Sequence, residues 1–314
     1  MGNNKIKTLQ VVIHCLPREI DQLERLCNSL RESYYFTENQ INIILDVTLN
    51  LNDNFTDWKQ SQIPKDFFIQ KFNNINKFND WTYQNIFDID EREECLGIND
   101  KRRNSINDGL DFDYIMYLDL DVYFPIFSFI PLTQLLDQLT NDYNIISLET
   151  VRLWDSSWDG LVNKNYKDKD HEFHKNIDPS RVNKISFDNL IKEEMGIRIL
   201  NNIKFGGGWF NIFSKKLLKF INIPESLGSY GLDDTFVMVA SNAMKEKGYD
   251  INQYTLEGLV CIENNKYSLY DYNPYKGLIK DISFENKGRD FKKEYKEKSH
   301  KNFNLELNKF KQKI

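Results

Sequence analysis

Two aspartates two positions apart, Asp119 and Asp121, stand in the stretch Tyr114-Ile115-Met116-Tyr117-Leu118-Asp119-Leu120-Asp121-Val122-Tyr123-Phe124-Pro125. A short apolar run precedes them, and the stretch stops at a proline. Such a run reads as a buried strand covered on both faces, with the acids at its carboxyl end. Residues i and i+2 of a strand point the same way and can share one target. Ionised carboxylates held that close repel each other, and a hard divalent cation relieves the repulsion. The carboxyl edge of an open α/β sheet is also where ligands bind. Two solvated aspartates at a strand end have the same pattern, so the pair needs company to mean more.

Two later segments supply it. Phe205-Gly206-Gly207-Gly208-Trp209-Phe210 carries three consecutive glycines. They cost backbone entropy on folding and mark either a tight turn or a place where backbone approaches a ligand. Gly228-Ser229-Tyr230-Gly231-Leu232-Asp233-Asp234 opens a helix that runs through Lys247. Asp233 and Asp234 fall in its first turn, where the helix dipole by itself favours acids. Trp154 and Trp158 stand in a long stretch of little apolar periodicity, Trp154 to Arg181, and read equally as sugar-stacking platforms or as loop anchors. His171 and His174 share that stretch with a run of Lys and Asp, and read as solvated rather than as metal ligands.

The elements that must position these groups follow in order. Thr8 to His14 is a first strand; Pro17 opens a helix carrying Ile20, Leu23, Leu26, Cys27 and Leu30 at helical spacing. Ile41 to Val47 is a second strand, with Asp46 at its end. Strand, helix, strand predicts a parallel sheet. Asn50 to Asn79 is Asn-rich and stays unassigned. Asn99 to Leu110 reads as a short helix leading into the Asp119 strand, and Asn144 to Leu148 and Gly258 to Ile262 as further strands. The organisation expected is one α/β domain over residues 1–286 and a basic Lys/Asn/Phe-rich extension over 287–314, a terminal helix or a tail outside the core.

Composition limits the functions available. The chain has 314 residues and a net charge of −6, which argues against nucleic acid as a partner because phosphate binding needs a basic face. Aromatic residues reach 14%, which suits stacking on sugars or bases, although a drift toward Phe, Tyr, Asn, Lys and Ile explains it equally well. Cys15, Cys27, Cys95 and Cys261 have no C-x-x-C spacing and read as reduced thiols. No run approaches the ~20 apolar residues that cross a bilayer. A cytoplasmic location is expected, with the basic tail available for peripheral contact with an anionic membrane or a partner protein.

The three motifs in this order, D-x-D, Gly-Gly-Gly-Trp-Phe and Gly-Leu-Asp-Asp, resemble the GT-A glycosyltransferases that use nucleotide sugars. The start Val11-Val12-Ile13-His14-Cys15-Leu16-Pro17-Arg18-Glu19 is similar to the first strand and turn of the family 2 members, and Arg103-Asn104 to their Arg-Asn pair. The resemblance spans about Leu9 to Val260. It implies a mostly parallel GT-A sheet flanked by helices, and a metal-dependent transfer of sugar from a nucleotide-sugar donor, a UDP-sugar first, to a hydroxyl acceptor such as a glycan. By position, it implies that Asp121 ligates Mn²⁺ or Mg²⁺ and that Asp119 holds the ribose or a metal-bound water. Asp46 and Arg103 join the donor site. Gly206, Gly207, Gly208 and Trp209 line the acceptor side, and Asp233, with Asp234 beside it, is the general base of an inverting reaction. Leu232 departs from a common Glu, and Cys261-Ile262-Glu263-Asn264 stands where many members carry a metal-binding His, leaving His300 as the only later histidine and a candidate third ligand. A retaining mechanism and a non-catalytic glycan- or nucleotide-binding homologue stay open. A haloacid-dehalogenase-like phosphatase is more remote, since Tyr123 stands where its motif carries Thr.

Overall fold

The computed structural model describes residues 6–37, 40–51, 63–91, 97–120, 122–150, 160–163, 195–204, 210–263 and 281–314, with side chains of the last segment from 297 onward. The chain runs β1 (Lys7–Cys15), α1 (Ile20–Tyr34), β2 (Ile41–Asn50), α2 (Lys65–Lys77), β3 (Gln84–Asp90), α3 (Ile98–Asn107), β4 (Tyr114–Leu118) and β5 (Val122–Tyr123). It continues through α4 (Phe129–Gln138), β6 (Tyr143–Thr150), β7 (Gly196–Leu200), β8 (Phe210–Ser214), α5 (Lys215–Ile221), α6 (Asp233–Glu246), β9 (Ile251–Glu263) and α7 (Asp281–Lys313).

The strands form one mixed sheet in the order β3-β2-β1-β4-β8-β6-β9-β5, with β7 also on β9. The βαβ start gives the expected parallel block, β3-β2-β1-β4. β8 then enters antiparallel to both β4 and β6, so the carboxyl ends of β4 and β6 emerge at one edge. Phe210 at the start of β8 pairs with Leu118 at the end of β4.

The period-2 alternation decides which core each residue enters. Leu9, Val11, Ile13 and Cys15 of β1, with Tyr114, Met116 and Leu118 of β4, face one core together with α1, α2 and α4. Val12, Ile115 and Tyr117 face the opposite core, built with Ile106 of α3, Leu217 and Leu218 of α5, Phe236 and Val237 of α6, and Leu307 and Phe310 of α7. Both faces of the sheet are covered, which is why β4 is apolar throughout rather than alternating.

The unassigned Asn-rich stretch contains α2, whose Phe68, Phe72 and Ile75 keep helical spacing among Asn and Lys. The terminal extension differs from an appendage. Ser299, Leu307 and Phe310 of α7 are buried, so its last turns belong to the second core. Cys15, Cys27 and Cys261 are buried free thiols, and burial pushes the Cys27 thiol up to about 12. Among the described residues no helix is long and apolar enough to cross a membrane.

Candidate active site

The site is assembled by α3, a helix with a buried basic face. Its buried residues are Asn99, Lys101, Arg102, Ser105 and Ile106. Gly97 begins it: the Gly97 N–H donates to Asp100 Oδ2 at 3.1 Å, and a Cβ at Gly97 would collide with the Ser229 carbonyl. The helix therefore abuts the 224–231 segment backbone to backbone, and the Asn99 N–H donates to Ser229 O at 3.1 Å.

Buried cations must be paired. Lys101 is held by the Asp46 carboxylate, which also accepts from Gln10 Nε2 at 2.9 Å. Arg102 serves two acids at once. Its Nη1 donates to Asp233 Oδ2 at 2.7 Å and its Nη2 to Asp119 Oδ1 at 3.1 Å. The guanidinium also lies 4.9 Å from the centroid of the Tyr117 ring, two residues before Asp119 in the chain. Burial alone would lower the Arg102 pKa, but the charges of Asp233, Asp119 and Asp234 reverse that and hold it above its ordinary value. Burial pushes the Tyr117 phenol up, so it stays a neutral donor, bonded to the Arg102 carbonyl at 3.3 Å.

Asp233 and Asp234 begin α6, as the sequence indicated. Leu232 before them has φ 57° and ψ 9°, the left-handed region that a branched side chain rarely occupies. The turn is thus forced by its surroundings. Asp233 is 3% exposed, whereas Asp234 is only half-buried and accepts from the Thr235 N–H at 2.7 Å. Burial, then the neighbouring Asp233 charge, raises the Asp234 carboxyl to about 6, against the opposing pull of Arg102 and the Thr235 N–H.

Several expected residues stand elsewhere. Asp46 lies inside β2 opposite Val12, not at the sheet edge; it is 3% exposed and committed to Lys101 and Gln10, so it neutralises a buried lysine and leaves no face for a nucleobase. Arg103 points away from Asp119. Its Nε donates to Ile223 O at 2.9 Å, its Nη2 to Pro224 O at 3.1 Å, and its Nη1 to Asp100 at 2.6 Å. His300 is exposed on α7. Asp121, Trp154, Trp158, His171, His174, Gly206, Gly207, Gly208 and Trp209 lie outside the described residues, though Phe210 after the glycine run pairs beside Asp119, on Leu118.

Arg102 is the residue that sequence reasoning missed. Its signal was present: Ile106, the apolar residue of the last turn, marks the buried face of α3, and Arg102 precedes it by four positions.

Among the described residues no group of three or more His, Cys, Asp or Glu side chains converges on a metal-sized site. Asp119 nevertheless offers a hard oxygen donor at the sheet edge, with its side chain 29% exposed, and the chemistry of a carboxylate there suits Mn²⁺ or Mg²⁺.

No family model and no curated protein matches this chain. Solved structures do, at low identity. Staphylococcus aureus TarS 1–349 in complex with UDP has a TM-score of 0.42 and 15% identity over 79% of this chain and 60% of that one. Glucosyl-3-phosphoglycerate synthase from Mycobacterium tuberculosis, in complex with Mn²⁺, UDP and glucosyl-3-phosphoglycerate, has a TM-score of 0.42 and 13% identity over 84% and 77%. A mycobacterial protein has 0.42 and 12% over 82% and 67%. The chain thus spans about two thirds or less of the first of these relatives. The likeness is loose, and the chemistry rests on the chain's own residues.

Proposed function

We propose that this chain is a GT-A glycosyltransferase that moves a sugar from a nucleotide donor, a UDP-sugar first, to a hydroxyl acceptor with inversion. One observation carries the reading. The guanidinium of Arg102 joins Asp119, at the carboxyl edge of β4, to Asp233, at the start of α6. Asp119 and the Asp-Asp pair are read as two walls of one site.

Each wall has its own task. Asp119 and Asp121 would hold Mn²⁺ or Mg²⁺, which when bound supplies Lewis-acid compensation for the charge of a diphosphate leaving group. Arg102 places a permanent positive charge between the walls. Asp233, buried and engaged by Arg102, anchors the first turn of α6. Asp234, half-buried where Asp233 is 3% exposed and bonded to Arg102, is the more accessible proton acceptor for the acceptor hydroxyl, and burial beside Asp233 raises its pKa. In this reading proton transfer falls to Asp234 and anchoring to Asp233.

The test is nucleotide release from UDP-, GDP- and CMP-sugars with Mn²⁺ and a hydroxyl acceptor panel, followed by NMR of the product. An α-linked donor should give a β-linked product. Tight nucleotide binding with no release would favour a binding homologue, and a retained α-linkage would remove Asp234 from the base role.

A further inference from the structure

The 224–231 segment, which delivers Asp233 and Asp234, is held from two sides. On one side stands α3. Asn99 Nδ2 donates to Gly231 O at 3.0 Å, and Arg103 Nη2 donates to Gly228 O at 3.3 Å. On the other side stands the C-terminal helix. Ser299 Oγ donates to the same Gly231 carbonyl at 2.6 Å, and Asn302 Nδ2 donates to Ser226 O at 2.6 Å. The Lys298 stem covers Gly228, where an added Cβ would lie 3.3 Å from its Cδ. Ser299 is fully buried, and Phe303 meets the Phe236 ring edge-on at 5.9 Å one turn into α6.

We propose that α7 is a positioning device for the active site, with Ser299 and Asn302 as positioning residues that latch the segment carrying the Asp pair. The inference rests on the transferase reading for its kinetic consequence. Its physical basis is independent of that reading. Gly231 is followed by Leu232 in the left-handed region, a conformation that a leucine keeps only when its neighbours over-determine it. Both lone pairs of the Gly231 carbonyl are taken by side chains of two different helices, Asn99 of α3 and Ser299 of α7, and this fixes the peptide that turns into α6. Ser299 and Asn302 touch backbone and not the acids. They act on the aspartates through the loop.

The test uses Ser299→Ala, Asn302→Ala and the double variant in the full chain. Asn302 is half-buried, so its variant retains the fold even if the buried Ser299 site tolerates change poorly. Amide hydrogen exchange over residues 226–236 is compared with exchange in β1, β4 and α1. Turnover and donor KM are measured beside it. The latch predicts faster exchange confined to 226–236, and a kcat lower by about 10- to 100-fold with donor KM within about twofold, the pattern of misplaced reacting groups. Unchanged exchange in 226–236 overturns it, as does loosening spread through the whole chain, or a loosened segment with kcat intact. Failure of the transferase reading shows differently. The wild-type chain then releases no nucleotide from any donor, and the exchange comparison alone decides whether the latch exists.

Discussion

Arg102 Nη1 meets Asp233 Oδ2 at 2.7 Å across 131 residues of sequence, and the remaining arm of the same guanidinium reaches Asp119. Both Arg102 and Asp233 are nearly inaccessible, with side chains 4% exposed. A buried pair of this kind is weak evidence of net stabilisation, but breaking it by removing one partner leaves an uncompensated charge. Arg102→Met should therefore cost roughly 3–5 kcal/mol, because Asp233 is left buried without its guanidinium partner. Arg102→Lys keeps the charge but lacks the planar fork that reaches two carboxylates, and should fall between. Urea unfolding measures both. An Arg102→Met midpoint equal to wild type would show that the bridge holds nothing.

The division of labour between the two aspartates predicts different kinetic losses. Asp234→Asn keeps the shape but cannot take the proton, so kcat should fall by about 10²-fold or more while nucleotide affinity stays near wild type. Asp233→Asn should instead lower stability along with turnover, since Arg102 loses its shorter ion pair. Steady-state kinetics and calorimetric UDP binding on both variants separate the roles. A larger kcat loss in a stably folded Asp233→Asn would return the base to Asp233.

The raised carboxyl of Asp234 has a pH signature in stability as well. Its folded pKa near 6 lies above the unfolded value of about 3.9, so folding favours the protonated form. That contribution is fully present below about pH 4 and is lost as pH rises through 6. Asp234→Asn, neutral throughout, should lack this loss. The difference in thermal midpoint between variant and wild type should grow in the variant's favour from pH 4 to pH 7. In catalysis the same group should give an acidic limb near pH 6 in wild-type kcat. A midpoint difference independent of pH would remove Asp234 as the titrating group.

The fold was legible wherever hydrophobic period and turn residues agreed. β1, α1 and β2 follow from Val11, Leu23 and Ile43 and their neighbours, because a β-branched run, a Pro17 start and an i, i+3, i+4 stripe each have one cheap conformation. α2 was not legible, since its three buried residues are diluted by Asn and Lys that carry no period of their own. The candidate site was half legible. Asp119 and Asp233 were visible as motifs, but only the packing of α3 shows that one arginine joins them. Asp46 misled because a strand-end acid and a mid-strand acid look alike until the register with β1 is known; the strand expected to end at Val47 runs on through Asn50 and leaves Asp46 inside it. Arg102 and Arg103 are adjacent in sequence but ~100° apart around the helix, and that angle sends one to the acids and the other to loop carbonyls.

Metal dependence should run through the D-x-D. UDP titrated with Mn²⁺ and then with EDTA should bind more weakly in EDTA. Asp119→Asn should weaken both the metal effect and the tie to Arg102, giving reduced UDP affinity together with a modest loss of stability. Asp121→Ala should lose the metal effect with stability unchanged. Equal UDP affinity in Mn²⁺ and EDTA would exclude a metal-bridged donor site.

The last prediction concerns the end of the chain. Phe310 is 6% exposed and meets the rings of Phe220 and Phe236 at 6.2 and 6.4 Å, inside the core that carries α6. Deleting a buried phenylalanine removes its transfer free energy and leaves a cavity, so Phe310→Ala should cost about 3–5 kcal/mol. That is a large part of the 5–15 kcal/mol that typically holds a domain folded. Truncation after residue 286 goes further, since it strips Phe303, Leu307 and Phe310 together and exposes the apolar face of α6. The truncated chain should lose cooperative unfolding and bind a hydrophobic dye, whereas an appendage outside the core would come off without either effect. Thermal unfolding of Phe310→Ala and of the truncated chain, side by side, decides between them: a truncated chain that melts at the wild-type temperature would mean that α7 contributes nothing to the core.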